Sequence, residues 1–404
     1  MVGEAKQISL KIARWSVVGI GVSMPISTAM DNVLMLILLL AVVLGGHLQE
    51  VARIAWQVPV ARAAMFIFLA LVCGNFYGEG RESLKYLGKY IDIAFVPIFI
   101  WALSDPVWKR HAAHGFLLAM GVVLALSVGL FAGVVPGAWL PSATAAYPVV
   151  FKLSITHNYF MAILVLFAVV YARQASRPVA AWLWLALALL GASNVMFMVP
   201  GRTGQVILVL ILAYLAASQM RWRYVISIAA LIGIGVALFY YLDQFSNRWE
   251  MAFDEIRAWQ SGVRGDSSSS VGTRLDYYFN TLGIIAEHPW LGVGTEGFPA
   301  AYDAIVAGTG MPGSNNPHNQ YLLFTAQLGV GGLILFVGLL AVMARQIISV
   351  ADRPSRQLAW GIWIALVVGN LANSFFLDHA EGLFAAWAIG WATFLKKEDS
   401  TKTS

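Results

Sequence analysis

HNQYLLFTAQLGVGGLILFVGLLAVMA, residues 318–344, opens on a histidine and continues as one long apolar run with glycines at fixed places. A helix needs ~20 consecutive apolar residues to cross the hydrocarbon core of a bilayer. The run is therefore read as a transmembrane helix, and His318 stands at its mouth. The rest of the chain is of the same kind. Over 404 residues it is 59% apolar and 12% charged, with a mean hydropathy of +0.72. No soluble globule could hide that much apolar surface from water. The fold class is an all-α polytopic integral membrane protein. The single cysteine, Cys73, lies in an apolar run, so neither a disulfide framework nor a thiolate metal cluster is expected. The N-terminal stretch EAKQISLKIARW has the positive flank of a signal peptide but no small-residue cleavage site, and it is read as retained.

Working outward from residue 318, about twelve apolar segments follow along the chain. They lie near residues 13–30, 32–46, 61–77, 86–103, 114–135, 157–172, 180–199, 203–219, 224–242, 319–344, 358–376 and 381–395. Several are shorter than a full span and must be tilted, broken or extended. Cytoplasmic loops collect Lys and Arg. With both termini inside, every inner loop carries basic residues and most of the 26 Lys and Arg fall on that side. The organisation expected is residues 1–242 as transmembrane helices 1–9, 243–318 as one large periplasmic loop with short helices, 319–395 as helices 10–12, and 396–404 as a cytoplasmic tail.

The large loop has three parts. NRWEMAFDEIRAW places Trp249, Phe253 and Ile256 on one helical face, as an interfacial helix would. SGVRGDSSSSVG has little to bury and is expected to be mobile. TRLDYYFNTLGIIAEHP resumes a helix, with Leu275, Tyr278, Phe279, Leu282 and Ile285 at helical spacing and Thr273 with Asp276 resembling a capping box. A long loop of this kind is more often functional than decorative.

Chemistry is expected on the outer face. Asn316 can cap span ten with Pro317 at its first position, which puts His318 in the opening turn, where the helix dipole disfavours imidazolium. Below it, Ala326, Gly329 and Gly332 form a small-residue stripe against which a neighbouring helix can pack closely. An interfacial histidine anchoring a helix end is the plainer reading of His318. Arg202 in VPGRTGQ and Arg274 in GTRLDYY both stand near expected helix N-termini, where a cation opposes the dipole unless an anion satisfies both. Arginine's planar fork suits phosphate, although Asp276 is close enough in sequence to pair with Arg274 instead. Arg81, Lys85 and Lys89 fall at i, i+4 and i+8 on one basic stripe, and either greet an anionic headgroup or snorkel, with Asp92 a partner for Lys89. Lys152 and His157 in FKLSITHNYF hold a similar rim position, and DHAE, residues 378–381, reads as a polar hairpin. There is no P-loop, no HExxH and no Asp-x-Asp pair, so no metal and no cofactor are expected. An outward basic site with one imidazole and apolar walls fits a lipid diphosphate, whose leaving group drives transfer where no nucleotide sugar is present.

HNQYLLFTAQLGVGG, GRTGQVILVL, GTRLDYY and EHPWLGVGTEGF resemble, in order, the stations of the lipopolysaccharide O-antigen ligase family. The histidine pattern runs through His318, Asn319, Gly329 and Gly332, and the likeness covers about residues 190–345 by motif. The resemblance implies a GT-C-type glycosyltransferase of the bacterial inner membrane with its site facing the periplasm. It moves O-antigen from undecaprenyl diphosphate to a sugar hydroxyl of lipid A-core, without metal and with inversion. By the same resemblance His318 is the general base or orients the acceptor, and Arg202 and Arg274 bind the diphosphate. Lys85 or Lys89 serves the donor, and Asn319, Arg81, Lys152 and His157 are supporting candidates. Partners would be the lipid-linked donor, the lipid A-core acceptor and membrane lipids, with no nucleic acid. O-antigen polymerases and protein O-oligosaccharyltransferases share the histidine signature and stay open as readings. So does a transporter or flippase of an anionic glycolipid, though its charges should lie near mid-membrane or on both faces. One large loop and a short charged tail favour the ligase.

Overall fold

The structure is a computed structural model that describes residues 2–78, 83–136, 143–218, 243–262, 264–265 and 270–394. Arg81, the ninth expected span near 224–242 with the inner Arg221 and Arg223, part of the serine-rich stretch, and the tail 396–404 lie outside the described residues.

Among the described residues the chain is helical, as its apolar runs require, because a backbone in hydrocarbon must satisfy its own polar groups. Four helices are long and apolar enough to cross a membrane: α8 (Pro106–Phe131), α9 (Ser154–Gln174), α10 (Pro178–Ser193) prolonged by a π-helical turn to Met198, and α15 (Gln320–Ile348). A fifth candidate is a pair, α2 (Thr28–Leu44) and α3 (Leu48–Gln57), bent by 103°. Two apolar helices are shorter, α4 (Pro59–Gly74) and α11 (Arg202–Ala217). α1 (Val2–Ser23), α16 (Arg353–Ala372) and α17 (His379–Ala392) complete the bundle, and α12 (Asp243–Gln260), α13 (Ser270–Glu287) and α14 (Phe298–Val306) form the loop region.

α9 is the hub. It packs against α8, α10, α11 and α16, and nearly every side chain from Thr156 to Ala168 is buried. A helix apolar on all sides belongs in such a place. Tyr159 and Phe160 join Phe116, Phe375, Phe384 and Trp387 in one aromatic cluster.

The expected span 86–103 is not one helix. It is three pieces, α5 (Ser83–Gly88), α6 (Ile91–Ala94) and α7 (Val96–Ala102), broken at Lys89–Tyr90 and at Phe95, with Pro97 in the first turn of the last. Proline cannot donate to the preceding turn, and a broken backbone survives here because the segment is enclosed by protein. Of the expected basic stripe, Lys85 lies on α5 and Lys89 just beyond its end.

Span ten also departs from expectation. Gly329 has φ 65° and ψ −164°, which breaks α15 in its upper third. Beside α4, a run of turns over residues 289–295 packs against the small-residue stripe at the break. Val293 and Gly294 donate to the carbonyls of Ala326 (2.8 Å) and Gln327 (2.9 Å), and Val330 N–H donates to Pro289 O (2.8 Å). These are the backbone groups that the break would otherwise orphan. Gln327 adds a bond from its amide to Thr295 O and accepts from Tyr90 Oη at 2.9 Å. Thr295 in turn donates from its backbone to Gly74 O (3.1 Å) and from its hydroxyl to Leu71 O (2.6 Å), so the segment is pinned between α15 and α4.

Candidate active site

His318 lies outside α15, not in its opening turn. Asn319, extended at φ −156° and ψ 114°, is the N-cap, and its side chain accepts from Leu322 N at 3.1 Å. Asn316, the expected cap, instead accepts from His318 N–H at 2.8 Å. Asn side chains close such turns onto the backbone two residues on. The turn holds His318 at φ 53°, a left-handed conformation that costs a residue with a Cβ about 1–2 kcal/mol. Tyr277 of α13 stacks on the ring, with centroids 5.7 Å apart and planes at 23°. Tyr278 Oη lies 3.3 Å from His318 O and 3.1 Å from Leu371 O and shares its proton between them.

The imidazole is pushed below its ordinary pKa by burial first and by the Arg274 guanidinium second, against a hydrogen bond with Asn373 that favours protonation. The neutral ring expected from a helix dipole thus arises from a different cause. Arg274 itself sits in the second turn of α13, because that helix begins at Ser270 and not at Thr273. Burial lowers its pKa, and the field of Arg202 lowers it further, against the effect of Tyr278. Asp276 is not its salt-bridge partner. Its two carboxylate oxygens accept from Trp259 Nε1 and Gly265 N, each at 2.8 Å. Thr273 lies inside α13 and not at its N-cap, because the helix starts at Ser270.

Arg202 is the first residue of α11, and Gly201 at its N-cap supplies no side-chain bond. The glycines of GRTG are needed for contact: a Cβ on Gly204 would run into Asn158 of α9, and one on Gly201 would come within 2.5 Å of its side-chain nitrogen. The turn rides directly on the hub helix, and Asn158 clasps it by donating to Val199 O at 3.1 Å. Two arginines and one imidazole therefore converge at one end of the bundle.

Beside them opens a cavity of 790 Å³, lined by His318, Asn373, Phe151, Lys152, Thr156, Asp378, His379 and Glu381, among others. Lys152 reaches it and donates to Thr28 Oγ1 at 2.9 Å. Lys89 approaches from α5: its Nζ lies 4.8 Å over the Tyr86 ring, while Tyr86 Oη donates to Asn315 O (2.8 Å) and ties that segment to the His318 turn. Burial raises the pKa of the Asp378 carboxyl, and Lys89 draws it back. Lys85 is exposed on α5. His157 is not a rim residue. It is buried inside the bundle, bonded to Asn194 Oδ1 at 2.9 Å, a packing role. Nor does Asp92 serve Lys89; it is buried against His379 Nδ1 at 3.1 Å.

The DHAE stretch is not a solvent hairpin but a wall of the cavity. Glu381, 5% exposed, accepts from the Thr156 hydroxyl. The one signal available in the sequence was three polar residues in DHAE, Asp378, His379 and Glu381, interrupting two apolar runs. Tyr277 and Phe151 carried none.

Residues 187–337 match the family model described as O-Antigen ligase. The match spans the π-helical turn before Arg202, the loop helix bearing Arg274, His318 and the break at Gly329. No curated protein matches the chain.

Proposed function

Starting from the match of residues 187–337 to the family model described as O-Antigen ligase, we propose that this chain transfers O-antigen polysaccharide from undecaprenyl diphosphate to a sugar hydroxyl of lipid A-core at the periplasmic face of the inner membrane. The observation that carries this reading is the neutral imidazole of His318 held in the field of Arg274, itself in the field of Arg202, at the mouth of one cavity. Two guanidinium groups in each other's field repel, and a diphosphate bound by both relieves that repulsion while stabilising the charge that develops on departure. The acceptor oxygen attacks the anomeric carbon as the carbon–oxygen bond to the diphosphate breaks. The hydroxyl proton passes to His318, the diphosphate leaves with the bonding pair, and the anomeric centre inverts. Lys89 and Lys152 add positive charge at the cavity edge, and the cationic groups do the work a metal would do elsewhere.

The direct test is the lipopolysaccharide pattern of cells lacking the chain. Loss of the long O-antigen ladder with lipid-linked polymer accumulating supports ligation. Long chains reduced to a single capped repeat would reassign it to polymerisation.

Arg274→Lys keeps the charge and loses the fork. Its donor KM is expected to rise by about tenfold, with part of the rate recovered at high donor concentration. Unchanged kinetics would return Arg274 to a structural role. The orientation is tested separately. Ser314 lies near His318, whereas Ser355 lies in the first turn of α16, across the bundle. In a Cys73→Ser background, Ser314→Cys should react with an impermeant maleimide on spheroplasts and Ser355→Cys should not. The opposite labelling inverts the topology and removes the periplasmic site with it.

A further inference from the structure

Among the described residues, only two that are not glycine have a left-handed backbone, His318 (φ 53°) and Phe151 (φ 61°). Both line the same cavity. Strain of this kind persists where the surroundings over-determine it and clusters at ligand sites. Phe151 is the odder of the two. Lys152 N–H donates to Val150 O at 2.7 Å, which closes a three-residue turn with Phe151 at its centre, a rare turn with this sign of φ. The ring gains little burial in return, since Phe151 stays 45% exposed. For folding alone, a glycine would serve better.

The same cavity is lined by Glu381, buried and oriented by Thr156. A carboxylate accepts strong hydrogen bonds from hydroxyls, and an aromatic face suits the apolar C–H face of a sugar ring. Glu381 and Asp378 put two carboxyl groups on this wall beside Lys152 and His379, with Lys89 near Asp378, and a phosphate placed here would crowd both carboxyls. Resting on the transfer reaction proposed above, we infer that Phe151 and Glu381 form the acceptor subsite and select an unphosphorylated pyranose, with Phe151 as the platform under the ring and Glu381 accepting from its hydroxyls.

The test uses the full chain in nanodiscs. Phe151→Gly should raise the acceptor KM by at least about tenfold, leave the donor KM unchanged, and melt at the same or a higher temperature because the strain is relieved. Phe151→Trp should keep the acceptor KM near wild type. Glu381→Gln, which preserves shape, should raise the acceptor KM by a similar factor and reduce the preference for an unphosphorylated over a phosphorylated core oligosaccharide. Direct binding of core oligosaccharide without donor separates this inference from the transfer reading: binding that depends on Phe151 supports the subsite even where no transfer is found. Phe151→Gly with an acceptor KM and oligosaccharide binding within twofold of wild type would overturn it and leave Phe151 as a membrane anchor. A donor KM that rises in step with the acceptor KM would overturn it equally, because the wall would not then discriminate between the two substrates.

Discussion

His318→Ala is expected to leave a folded chain that still binds the lipid diphosphate donor and transfers its glycan about 10²- to 10⁴-fold more slowly, the usual contribution of a positioned general base. Folding should survive because the ring is held from outside the helix: Asn319 caps α15 and Asn316 closes the turn through the backbone of residue 318, and both bonds remain in the variant. The pH dependence supplies the sharper check. His318 works as the neutral ring, and burial together with Arg274 depresses its pKa below the ordinary 6.5. Activity should therefore climb with pH through that lowered value and level off above it. Arg274→Gln removes a neighbouring positive charge, so its rising limb should move to higher pH, whatever it does to donor affinity. The stability sign follows from the same shift. A depressed folded pKa makes the neutral ring's contribution complete above the unfolded value, and it is lost as pH falls through the folded value. A wild-type profile with no rising limb, or a limb that Arg274→Gln leaves in place, would sink the base assignment.

Gly329→Ala is expected to be strongly destabilising. The position has φ 65°, where a Cβ costs about 1–2 kcal/mol on its own account. The added methyl would also run into the carbonyl oxygen of Trp290. Relief requires the 289–295 segment to retreat, which strips Val330 N–H and the Ala326 and Gln327 carbonyls of their partners. Each such group, buried without replacement, costs about 1–3 kcal/mol. The sum exceeds the stability of many single domains, so the variant should fail to accumulate or should melt far below wild type in detergent. Gly331→Ala is the control, two residues away in the same helix, with nothing within 4 Å of the new methyl. It should melt within a few degrees of wild type. Similar melting for both variants would mean that the break at Gly329 is not what holds the segment.

The length of the apolar runs determined, without any structure, that the chain is a helical membrane protein. Hydrocarbon forbids unsatisfied backbone, and only helices of such runs meet that demand segment by segment. The station His318, with Arg202 and Arg274, was legible for the same local reason, since each stands out as a charged or polar residue beside an apolar run. Tertiary structure decided what surrounds them. The small residues Ala326, Gly329 and Gly332 signal close approach but not what approaches, and here a run of turns fills a break where a helix was expected. Asp276 sits two residues from Arg274 yet bonds Trp259 and Gly265. Glu381 meets Thr156 across 225 positions and His379 meets Asp92 across 287. Periodicity within one helix carries no information about such partners. The cavity wall therefore exists only once α9, α17 and the segments carrying Phe151 and His318 have packed, and the left-handed Phe151 was likewise invisible, because its conformation is imposed by the turn that it closes.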